Sequence, residues 1–80
     1  MMNKEILRET FEYMYNTRME RGNAKGINAE YEQGEIKGIV TMAFMIGIIN
    51  QEEFEKYFNE LFEKYSIVNK LEFTTFKKAE

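Results

Sequence analysis

Apolar residues recur at helical spacing along most of the first 65 positions, and residues that start or stop helices bound each stretch. Ile6, Leu7, Thr10, Phe11, Met14 and Arg18 fall on one face of a helix predicted from about Asn3 to Arg21. Asn3 is its expected N-cap, because a short polar side chain there accepts from the unpaired N–H groups of the first turn. Arg18 and Arg21 favour the negative end of the helix dipole. Gly22 is the expected stop, a residue able to take the left-handed conformation that closes a helix.

Residues 22–28 read as a loop, and a second helix is predicted from Asn28, another cap candidate, to about Ile49. Its early part carries Gly34 and Gly38, each costing roughly 1 kcal/mol relative to Ala in a helix interior. That pattern predicts either local weakness or close approach of another backbone. The later part, Ile39 to Ile49, is apolar nearly all round, as a buried central helix would be.

The third helix, over residues 50–65, is the most strongly marked. Asn50 and Glu53 stand as N-cap and third helical position, a capping box with Asn in place of Ser or Thr. Ile49 before the cap and Phe54 four positions after it have the spacing of a hydrophobic staple. Phe54, Tyr57, Phe58, Leu61, Phe62 and Tyr65 form one stripe, with Glu52, Lys56, Asn59 and Glu63 opposite. Emptying Phe58 to Ala should cost roughly 3–5 kcal/mol if it is fully buried.

Residues 66–80 read as an extended tail, with a short helix as the alternative. Ile67, Leu71, Phe73 and Thr75 alternate with Lys70, Glu72 and Thr74 in strand fashion. A lone strand has nothing to pair with unless it meets another chain or an earlier segment. The predicted fold is therefore one all-α domain over residues 1–80, a three-helix arrangement with a central apolar helix and an extended C-terminal tail.

Composition narrows the chemistry. All 14 acidic residues are Glu, and Asp, Pro, Cys, His and Trp are absent. Without His, Cys or Asp there is no Ser-His-Asp triad, no cysteine nucleophile and no ordinary zinc centre. No enzyme activity, cofactor or metal is expected. An 80-residue core without disulfides must hold by packing, at about 4–12 kcal/mol, or with help from a second subunit. A net charge of −3 argues against direct nucleic-acid binding, which leaves a basic footprint. The longest apolar run, eleven residues from Ile39, is too short for a membrane span, which takes about 20. It also lies mid-chain without the flanks of a signal peptide, so the cytoplasm is the expected address.

Several local patterns invite a sharper reading. Arg21-Gly22-Asn23-Ala24-Lys25-Gly26 has three residues between its glycines and Ile after the second, where a phosphate loop needs four and then Lys. It reads as a helix stop and turn. Gly34 and Gly38 have the small-xxx-small spacing that lets helices approach closely. Glu52, Glu55, Glu60 and Glu63 could present a phosphate-mimicking face to a basic groove, although Glu52–Lys56 and Glu60–Lys64 also read as ordinary i,i+4 pairs. Met14, Met42 and Met45 could form an adaptable apolar surface, since Met repacks easily. An apolar central helix that its two neighbours do not cover would mark an interaction site, which a homodimer or a partner protein would bury.

The run Gly47-Ile48-Ile49-Asn50-Gln51-Glu52-Glu53-Phe54, with Leu61 beyond it, resembles the helical hairpin of SHOCT domains over about fifteen positions. More broadly, the chain resembles small phage and prophage proteins with a Gly-rich helix, an apolar stretch, a Gly-Ile-Ile turn and a Glu-Glu-Phe helix. Some of those are anti-defence inhibitors, including anti-CRISPR proteins, and the resemblance implies binding to a host or defence complex. The leading expectation is a non-enzymatic protein-binding module of that type, with Met42, Met45, Glu52, Glu55, Asn59 and Glu63 as candidate partner-binding residues. The alternatives are a small helix-turn-helix DNA-binding regulator and a self-associating structural protein.

Overall fold

The structure, a computed structural model, describes residues 3–66; the expected tail lies outside the described residues, apart from its first position, Ser66. Three helices follow one another: α1 (Lys4–Arg21), α2 (Ala29–Met45) and α3 (Gln51–Lys64). The protein is all-α, and no strand occurs among the described residues.

Asn3 caps α1, its side-chain oxygen accepting the Ile6 N–H at 2.9 Å. Gly22 ends α1 as expected but not by a left-handed turn, since its φ is −63°. Glycine is required there for space. A Cβ at Gly22 would collide with the hydroxyl of Tyr65, the residue that closes α3. The loop that follows is held by the Asn23 N–H, which donates to the Glu32 carboxylate at 3.0 Å, and by a turn from the Gly26 N–H to the Asn23 carbonyl. Asn28 precedes α2, but its side chain makes no cap bond.

The end of α2 corrects the expected boundary. The helix stops at Met45, not near Ile49, because Gly47 takes a φ of +81°. The Ile48 N–H then donates to the Ala43 carbonyl at 2.9 Å, and the Gly47 N–H to that of Phe44 at 3.1 Å. This is a Schellman closure, and it satisfies carbonyls that an abrupt helix end would leave unpaired. Three residues after Gly47, the capping box of α3 is complete. The Asn50 side chain accepts the Glu53 N–H at 2.8 Å, and the Glu53 carboxylate accepts the Asn50 N–H at 3.0 Å.

One core joins the three helices around α2. Ile36, Val40 and Ala43 of α2 are buried with Phe11 and Tyr15 of α1, Ile49 of the turn, and Leu61 and Tyr65. The buried face of α1 is therefore shifted from the expected one: Phe11 is buried as expected, but Ile6 and Thr10 are exposed and Tyr15 takes the central place. Tyr15 can be buried because its ring packs edge-on against Tyr57 at 4.6 Å while its hydroxyl donates to the Glu60 carboxylate at 2.8 Å. Glu60 is thus engaged by Tyr15 instead of Lys64. Phe58 of α3 is half-buried, sitting between Phe54 and Phe62 in an aromatic row, so removing it should cost less than a fully buried Phe would.

Candidate functional site

The expected α1 face has a different role. Leu7, Thr10, Phe11 and Met14 form one wall of an open groove of about 440 Å³ between α1 and α2. Gly38, Ile39, Met42 and Ala43 form the other wall, and Ile46 and Ile48 close one end. The turn at Gly47 positions Ile46, since stopping α2 there leaves that side chain 54% exposed at the groove mouth. A Cβ at Gly34 or Gly38 would meet nothing within 4 Å among the described residues, so no described backbone makes the close approach their spacing suggested.

The polar groups around the groove already have partners. The Thr10 hydroxyl donates to the Ile6 carbonyl at 2.9 Å. The Glu35 carboxylate accepts from Arg18 Nε at 2.6 Å, on the border with a neighbouring polar cleft that includes Arg21 and Glu32. At the other end, Arg8 pairs with Glu12 at 3.1 Å and with Glu53, and so ties α1 to the start of α3. The Arg8 guanidinium and the Asn50 N–H hold the Glu53 carboxyl below the usual carboxylate range. Burial raises the Tyr15, Tyr57 and Tyr65 phenols, and the Glu60 carboxylate raises Tyr15 further. All of these perturbed groups have structural partners, and none of the three tyrosines lines the groove. Among the described residues, no cluster of three or more carboxylates gathers that could hold a metal ion. An apolar trough whose polar neighbours are satisfied can bury an apolar partner surface.

The sequence-derived candidates divide into two groups that the fold does not bring together. Met42 lines the groove and is 61% exposed, and Met45 is 76% exposed on the same helix. Glu52, Glu55, Asn59 and Glu63 are exposed on α3, and none of them lines the groove. Sequence reasoning did not select Leu7, Ile39 or Ile46 as contact residues, and it singled out Gly38 only for its spacing from Gly34. The available signal was Gly47: read as a helix stop, it frees Ile46 from a helix interior and exposes one side of α2. Comparison of the chain with family models, curated proteins and solved structures gives no match. No helix among the described residues is long and apolar enough to cross a membrane.

Proposed function

We propose that this is a non-enzymatic protein-binding module, in the manner of a phage-type inhibitor of a host or defence complex such as a CRISPR nuclease. The observation that supports it is the open α1–α2 groove, with Met42 and Ile46 more than half exposed at its edge. A small monomer gains by burying such side chains, at roughly 25 cal/mol per Å² of apolar surface. Leaving them in water is the mark of a surface that a partner covers. The flexible thioethers of Met42 and Met45 suit a contact that adapts to its target. The acidic residues of α3 form a second, separate surface for a basic patch of the same target. In this reading the protein works in the cytoplasm and needs no cofactor.

The DNA-binding alternative fits less well. The outward face of α3, which would have to enter a groove of the duplex, carries exposed Glu52, Glu55 and Glu63, and phosphates would repel them. The test uses two matched baits, the parent chain and Met42→Glu. A host protein retained by the parent and lost from Met42→Glu is the expected result. Equal retention by both baits, or retention by neither, counts against the groove as the surface that meets a host protein.

A further inference from the structure

The open face of α2 is self-complementary, and we infer that the partner seated on it is a second copy of this chain. This rests on reading the groove as a protein-docking surface and names its occupant. Tyr31, Gly34, Gly38, Met42 and Met45 share one face of α2, at positions −7, −4, 0, +4 and +7 about Gly38. Those steps bring side chains back to one side of a helix of 3.6 residues per turn. The large members stand free: Tyr31 is 74%, Met42 61% and Met45 76% exposed.

A second α2 laid antiparallel, with Gly38 on the two-fold axis, sets each large side chain against a complementary position. Met42 of each copy meets Gly34 of the other, where nothing among the described residues fills the space of a Cβ, and Met45 meets Tyr31. The two Gly38 positions, equally open, let the backbones come together. The partner helix then also covers the groove wall formed by Leu7 and Met14 of α1, giving a four-helix arrangement from two α1–α2 pairs.

Charge and exposure agree with that occupant. Among the described residues Glu35 is the one charged residue of the groove, and it is already paired with Arg18, so two such faces meet without facing like charges. Tyr31, Met42, Met45 and Ile46 are each more than half exposed, and with the half-buried Leu7, Met14 and Ile39 they make up the apolar surface that a second copy would cover, where a standard interface takes roughly 800 Å² from each partner. The acidic face of α3 remains outside this contact, and a dimer would present it twice.

Sedimentation equilibrium of the full chain from micromolar to millimolar concentration tests the inference. The mass should rise from monomer to dimer, and Met42→Glu should raise the dissociation constant by at least about tenfold, the effect of losing one central contact. Met42 is largely exposed, so circular dichroism of this variant should match the parent. The chain has no Cys, so Gly38→Cys gives an independent reading: mild oxidation should link two chains, whereas Glu55→Cys on α3 should not. A monomer mass throughout overturns the second copy, and so does a dimer that Met42→Glu leaves intact and Gly38→Cys fails to link. The docking reading is judged separately. A monomer that captures a foreign protein, and loses it on Met42→Glu, keeps that reading and excludes the second copy.

Discussion

On one side of α2, Ile36, Val40 and Ala43 are packed out of water between α1 and α3. On the other, Gly38, Met42 and Met45 stand in the open. The two sides are alike in hydrophobicity and differ in their neighbours: α1 and α3 converge over the first, and nothing among the described residues covers the second. Apolar character along a short helix therefore identifies what must be buried by something, and only the packing says whether this chain does it alone.

Substitutions on the two sides should separate widely. Leu61→Ala, opposite the closed side and fully buried, is expected to lose about 2–5 kcal/mol in urea unfolding, while Met42→Ala, measured where the chain is monomeric, should change stability by less than about 0.5 kcal/mol. Similar losses at the two positions would show that the open side is occupied within the monomer.

The closed side also carries a pH signature. Tyr15, Tyr57 and Tyr65 have folded-state pKa values above the ordinary phenol value near 10. The neutral phenol is thus favoured in the fold. Its contribution is complete below pH 10 and is lost as pH rises through the raised folded values. Stability should fall above pH 10, and less steeply in Tyr15→Phe. Equal slopes for the two proteins would mean that Tyr15 ionises as freely in the fold as in the unfolded chain.

Smaller effects come from the ends of helices and from one glycine inside α2. Gly22→Ala should cost about 1–3 kcal/mol by overpacking against the Tyr65 hydroxyl, and Tyr65→Phe in the same chain should return part of that loss. Gly38→Ala, again in the monomer, should do the reverse and stabilise by up to about 1 kcal/mol, because its added methyl meets only open space. Asn50→Ala should cost about 1 kcal/mol through loss of the capping box. Equilibrium denaturation of each variant checks these signs, and a stabilising Gly22→Ala would refute the spatial role assigned to that glycine.

How much of this was legible in the sequence differs by helix. α3 was readable because its stripe is single and its start is written twice, in Asn50 and in Glu53. In α1 two stripes overlap, one through Ile6, Leu7 and Met14 and one through Phe11, Tyr15 and Met19. Choosing between them required knowing that Tyr57 and Glu60 would receive Tyr15, a contact more than forty residues away in sequence. In the later part of α2 the difficulty was the lack of a polar face: a stretch apolar nearly all round does not announce which side stays open. The groove fell between these two gaps, being built from the α1 stripe that was expected to be buried and the undecided side of α2.

The connection between α2 and α3 has a bearing on how the molecule assembles. From Ala43 to Phe54 the backbone follows a helix closure and then a helix opening, with only Ile46 to Asn50 between the two rods. Such a joint needs few distant contacts to set its angle, so these two rods can align before the amino-terminal one docks on them. Native-state hydrogen exchange would then find the amides of α1 released in openings that leave the α2–α3 pair protected.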